Sequence, residues 1–315
     1  MSDRRIMIQY QYDGSFDGML CCIFESFVRK EIPLDICTDQ SVQTSLYPVR
    51  IIETIPHHAR RVFVSIPQKI SPLALDWVRK AFLSCHPHKE MLILEFLRKA
   101  YPKGPSILRM LQDDTIASLF QIVQAIDNES HLLKGFIRFV ERNGVLTSVI
   151  TPKNQVLPLI ARHFAERLPQ ETFLIYDQAH DMALFHQNGH LQIFPAGNIE
   201  FAPESPQEVT YQLLWKRFYQ TIAIEGRENP KCRMTHCPKR YWQNMTELCD
   251  QIFVNSVQKH LKNSTSSAIM KKDSMRQLTA GKVEVYDLHV ENRRASNSGE
   301  HSGSGVAECP NYRRF

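Results

Sequence analysis

The chain reads as an α+β protein, helix-rich with a small antiparallel sheet. Two observations carry this. Apolar residues recur at helical spacing through most of the first 261 positions. Three short alternating runs, at 172–177, 182–186 and 190–194, surround the turn dipeptide Asn188-Gly189, in which both residues tolerate positive φ. With 315 residues, 43% of them hydrophobic and 23% charged, the chain can bury a core as one large domain or two small ones.

The elements follow in order. Ile6, Ile8 and Tyr10 alternate with polar positions as in a strand, and Tyr12-Asp-Gly-Ser-Phe-Asp-Gly18 makes a turn. Leu20, Ile23, Phe24, Phe27 and Val28 then predict a helix. A second strand is expected over 49–55, ended by Pro56. Ser71 and Pro72 form a helix start, followed by the face Ala74, Trp77, Val78, Ala81 and Phe82. Residues 90–101 predict another helix. Asp113 or Asp114 caps a long one, whose face runs from Ile116 through Leu133, Ile137 and Val140. Residues 145–150 are strand-like, and a helix after Asn154 aligns Val156, Leu159, Ile160, His163, Phe164 and Arg167. After the three short strands, one helix groups Tyr211, Leu214, Trp215, Phe218 and Ile222, and a last one is expected over about 241–261. Residues 1–261 read as a single unit with a candidate subdivision near 145. Residues 262–315, rich in Ser, Asn, Gly and charge, are expected to be mostly disordered.

No apolar run of about 18 residues is present, and the N-terminus lacks the apolar stretch of a signal peptide. The eight cysteines form no CxxC pair. A cytoplasmic protein with no membrane association is expected. The net charge of +5 points only weakly to a polyanionic partner.

Five segments are candidates for chemistry. The turn at 12–18 joins a strand to a helix but lacks a phosphate-loop signature, and its carboxylates Asp13 and Asp17 disfavour phosphate. Cys85-His-Pro-His88 and Cys232-x3-His-Cys237 contain soft ligands without zinc spacing, so no metal site is expected. His163 is either a core histidine or an acid/base group whose pKa a neighbouring Arg167 lowers. Lys134, Arg138 and Arg142, four apart, suggest a basic stripe continuing the long helix, suited to phosphates or to plain solvation. The sharpest feature spans 227–242, where Arg227, Lys231, Arg233, Lys239 and Arg240 face a single acid, Glu228, and the run ends in Tyr241 and Trp242. Its cations suit phosphate contact, while Trp242 reads as core.

The YDGSFDG turn at 12–18, KGFIRF at 134–139, VLPLIARHFAERLP at 156–169, and LLWKRFYQTIAIEGRENP…PKRYW at 213–242 together resemble one bacterial family. Its members are assigned to DNA metabolism or repair, contain a domain of unknown function, and are encoded beside a radical-SAM protein. The same domain is found fused after uracil-DNA-glycosylase-like domains. The resemblance covers about residues 6–250. It implies DNA and the radical-SAM protein as partners, with repair or modification of DNA as the role. The alternatives are a non-catalytic adaptor of that partner and a hydrolase of damaged bases or nucleotides. No CxxxCxxC cluster is present, so the iron–sulfur centre of a radical-SAM enzyme belongs to the partner. On this reading the basic residues contact phosphate, and His163 is the acid/base group with Asp13 and Asp17 as companions. No cofactor is assigned. Two departures stand out. Where the family reads Pro-Asp-His-Asn, this chain has Pro152, Lys153, Asn154 and Gln155, so an acid and a histidine are missing there. Cys237 stands where an apolar residue is expected.

Overall fold

The computed structural model describes residues 4–38, 47–197, 199–227 and 229–249. The chain is α+β. Its first part is built on strand β2 (Gln9–Tyr12), which follows the short β1 (Arg4–Arg5). Helix α1 (Phe16–Val28) leads to β3 (Glu31–Ile32) and β4 (Asp35–Thr38), and β5 (Val49–Ile51) comes next. β2 pairs in parallel with β4 on one side and β5 on the other, and β1 pairs in parallel with β3. Parallel neighbours need a crossover, and α1 supplies the one between β2 and β4. The alternation expected there keeps its face, and the strand starts later, with Ile8 packed partly buried against the same cluster. The buried residues of β2 are Tyr10 and Tyr12, and Ile8 lies before the strand.

Ser15 caps α1 by accepting from the Gly18 amide, as the turn chemistry anticipates. The expected strand over 49–55 stops at Ile51, and Pro56 opens a helix, α2 (Pro56–Lys69). Then come α3 (Pro72–Leu83), capped by Ser71, α4 (Lys89–Lys103), and α5 (Asp114–Phe136), capped by Asp113. The Tyr12 hydroxyl donates to buried Glu90 at 2.9 Å, tying the sheet to α4.

α5 ends earlier than its apolar pattern suggests. Arg138 and Arg142 therefore do not continue a helical stripe from Lys134: Arg138 lies past the helix end and Arg142 in strand β6 (Val140–Arg142). The physical reason is a competing ladder and a cap. β6 pairs antiparallel with β7 (Val145–Ile150), turning at Asn143-Gly144 with φ of 52° and 80°. The Arg138 guanidinium donates to the carbonyls of Gly135 and Ile137 at the helix end.

Helix α6 (Leu157–Arg167) returns the chain to β8 (Phe173–Asp177), followed by β9 (Met182–Gln187) and β10 (His190–Pro195). The last three strands are antiparallel, and Asn188 and Gly189 turn the hairpin at φ of 50° and 79°. The sheet is nevertheless larger than expected and mixed. Its order is β10-β9-β8-β7-β6, and β7 and β8 run parallel because α6 crosses between them. α7 (Pro206–Ile222), a 3-10 turn at Glu225–Arg227, α8 (Pro230–His236) and a 3-10 helix at Lys239–Asn244 complete the described chain. Tyr241 is the core residue of the last element, while Trp242 is only half-buried. The helix expected over about 241–261 is not an α-helix as far as residue 249, where a 3-10 helix and turns stand instead, and its remainder, the tail 262–315 and Glu228 lie outside the described residues.

Two clusters of buried side chains meet on α5. Leu119 and Val123 belong to the N-terminal one, and Ile126 and Leu133 to the one packed on the mixed sheet. No helix among the described residues is long and apolar enough to cross a membrane.

Gly18 tests the turn at 12–18. A methyl group there would lie 2.2 Å from Asp13 Oδ1, 2.8 Å from Thr54 Oγ1 and 3.0 Å from Tyr12 Cδ2. Gly18→Ala is expected to destabilise the protein by about 1–3 kcal/mol, measured as a lowered urea midpoint.

Candidate functional site around Glu129

Glu129 lies on the apolar face of α5, three residues after Ile126 and four before Leu133, and is only 2% exposed. A carboxylate there must be satisfied on every side. Oε1 accepts from the Lys153 amide at 3.0 Å and the Tyr241 hydroxyl at 3.2 Å. Oε2 accepts from the Asn154 amide at 3.0 Å and its side-chain Nδ2 at 2.6 Å. Arg240 Nη2 stands 3.5 Å away and also donates to the Tyr241 hydroxyl at 2.5 Å. Asn154 Oδ1 in turn accepts from the Cys85 amide at 2.9 Å, and the Gln155 amide donates to the Leu83 carbonyl at 2.9 Å. One carboxylate thus gathers α5, the loop before α6, the α3–α4 connection and the 3-10 helix at 239–244.

Beside it stands a second acid. Asp177, 1% exposed, ends β8 and accepts from the amides of Ala179 and His180. His180 Nδ1 lies 2.7 Å from Asp177 Oδ2. That hydrogen bond raises the His180 pKa above its ordinary value against the opposing effect of burial, helped by the Asp177 charge, a backbone hydrogen bond to Lys153 and the Glu129 charge. The backbone hydrogen bond between His180 and Lys153 sets this pair against the loop that carries Lys153 and Asn154. Sequence reasoning missed Glu129, Asn154, Asp177 and His180. The available signals were a glutamate inside an apolar stripe and an Asp-x-x-His at a strand end.

The sequence-derived candidates scatter. Asp13 accepts from the Ser15 amide and hydroxyl and from Thr54 Oγ1 at 2.7 Å. Burial opposes ionisation there, yet the bonds from Thr54 and Ser15 hold its carboxyl below the usual range. Asp17 is exposed in the first turn of α1. Both flank the N-terminal core cluster, whereas His163 sits on α6 against the other. Burial lowers the His163 pKa, and the charges of Lys134 and Arg167 lower it further. Its Nε2 is buried without a hydrogen-bond partner among the described residues, and its ring meets Phe164 edge-on. The structure thus brings Lys134 to His163 but leaves Asp13 and Asp17 apart from it.

Three of the candidate cations hold carboxylates. Arg138 grips Glu247 through Nη2 at 2.7 Å and Nε at 3.2 Å, Arg142 pairs with Glu204 at 2.8 Å, and Arg240 faces Glu129. Arg227, Lys231, Arg233 and Lys239 are exposed and have no acidic partner among the described residues. Arg233 and Lys239 lie 5.3 and 5.9 Å from the centre of the Trp242 ring, whose Nε1 donates to the Cys237 carbonyl at 2.8 Å. Among the described residues no three His, Cys, Asp or Glu side chains are arranged to hold a metal ion.

Glu129→Ala strands the amides of Lys153 and Asn154 and the Tyr241 hydroxyl. It is expected to cost about 3–5 kcal/mol, and Tyr241→Phe only about 1 kcal/mol, both read from urea unfolding at neutral pH. His180 gives a pH signature. A histidine whose folded pKa is raised contributes stability that is complete below about pH 6.5 and is lost as pH rises through the folded value. The urea midpoints of the wild type and His180→Gln are expected to differ most on the acid side and to converge on the alkaline side.

No curated protein matches the chain. Among solved structures, RecJ of Thermus thermophilus in complex with Mn2+ aligns over 59% of this chain and 45% of its own, with 9% identity and a TM-score of 0.26. This chain spans less than half the length of that protein, and a likeness at that score carries no argument about fold or activity. Residues 87–247, just over half of the chain, match the domain of unknown function DUF4130, a span holding Glu129, Lys153, Asn154, Asp177, His180, Arg240 and Tyr241 but not Cys85, Asp13 or Asp17. The chain belongs to the DUF4130 family.

Proposed function

We propose that this chain contacts nucleic acid through the face made by Arg227, Lys231, Arg233 and Lys239, and serves DNA repair or modification with a radical-SAM partner. The observation that carries the first half is the sorting of the cations. Arg138, Arg142 and Arg240 hold carboxylates, while these four stay exposed on a segment anchored to the core by Arg240 and Tyr241 at Glu129. An unpaired cation on a held backbone releases phosphate counterions at low ordering cost. Lys134, partly buried on α5 where its charge reaches His163, is not counted with these four. The repair role and the partner rest on the family resemblance.

The alternative, an adaptor without chemistry of its own, draws on a different observation. Glu129, Asp177 and His180 spend their hydrogen-bonding capacity on the protein itself, as groups that shape a scaffold do. His163 is then the remaining acid/base group for a catalytic role. A His163→Ala variant that folds normally and retains repair activity in cells favours the adaptor.

The phosphate contacts are tested by anisotropy of a labelled oligonucleotide titrated at several salt concentrations. Four contacts predict a slope of log K against log salt of about −3, weakening by about 0.7–0.9 for each cation changed to Ala. Binding that ignores salt, or a slope unchanged in the fourfold variant, sinks the proposal.

A further inference from the structure

α7 is amphipathic the wrong way round for a helix on a folded core. Its partly buried residues are Glu208, Gln212, Lys216 and Tyr219. Their side is fastened by polar bonds: Gln212 Nε2 donates to Glu204 and Glu208, and Glu208 accepts from the Glu141 amide. The stripe Tyr211, Leu214, Trp215, Phe218 and Ile222 points to solvent, with Tyr211, Phe218 and Ile222 being 68%, 53% and 57% exposed. No residue of α7 is buried. A contiguous row of large apolar side chains at one-turn spacing marks a surface that something covers.

The described chain says what lies nearest. Glu247 Oε2 accepts from Trp215 Nε1 at 3.0 Å, so residue 247 is seated at the middle of the stripe. The described residues end two positions later, at Cys249. In the residues that follow, Phe253, Val254, Val257 and Leu261 recur at i, i+1, i+4 and i+8, with Asn255, Ser256, Gln258 and Lys259 between them. That is the spacing of a single apolar helix face. Three or four residues of extended chain reach about 10–14 Å, and a helix of ten residues covers about 15 Å of the roughly 25 Å length of α7. We propose that the outward face of α7 is the docking surface for this chain's own residues 252–261. A tethered segment a few residues from its site works at an effective concentration on the order of millimolar, which favours it over a free partner or a second copy.

Hydrogen exchange on the full-length protein tests this, with sedimentation run alongside. In the wild type, amides of α7 and of 252–261 are expected to be protected together in a monomer. Phe253→Asp with Val257→Asp should speed exchange across α7 by about tenfold or more and leave α3 to α5 unchanged. The reciprocal change, Leu214→Glu with Phe218→Glu, should release 252–261 to the same extent. Protection of α7 that survives the first variant overturns the proposal. So does protection that disappears on dilution as a dimer dissociates, which assigns the face to a second copy, and so does an α7 already unprotected in the wild type.

Discussion

The burial of one carboxylate constrains the DUF4130 part of this chain. Glu129 sits where α5 would otherwise present another apolar side chain, and a buried carboxyl group there is tolerable only with hydrogen-bond partners on every side. The donors come from the loop at 153–154 and from Tyr241, with Arg240 close by. Segments 24 to 112 residues away in sequence must therefore arrive in fixed register. Because Asn154 also accepts from Cys85, the constraint reaches the connection between α3 and α4.

Buried or half-buried acids decide which arginines near the mixed sheet are held. Glu129, Glu204 and Glu247 each claim an arginine, and each pairing fastens a peripheral segment to the sheet and the end of α5. Arg227, Lys231, Arg233 and Lys239, which have no acidic partner among the described residues, lie on the three short helical elements after α7. A nearly neutral chain can in this way expose a local positive face, since what matters to a phosphate is the unpaired charge within a Debye length rather than the total.

Parts of this were legible in the residues. Ser71-Pro72, Asp113 and Asn188-Gly189 act locally, through caps and positive φ, and each stands where local chemistry puts it. The end of α5 was not legible, because Ile137 and Val140 suit either a helix face or a strand, and the β6–β7 ladder decided between them. The basic triplet Lys134, Arg138 and Arg142 looked like one surface for the same reason. Within the site, Arg240 and Tyr241 stood in a segment singled out early. Glu129 in an apolar stripe and the Asp177-x-x-His180 spacing were separate signals that nothing in the sequence joins, since they meet only in the assembled fold.

The sequence by itself determined the α+β class, most helix starts, the hairpin at 188–189 and the helical stripe of α7, because capping, turn conformation and periodicity are set within a few residues. The tertiary structure alone decided that β7 and β8 run parallel, that Glu129 is the hub, which arginines are bound to carboxylates, and that the stripe of α7 faces outward. Those outcomes depend on which distant groups share a buried volume, and solvation of charge in that volume is a property of the assembled fold rather than of any segment.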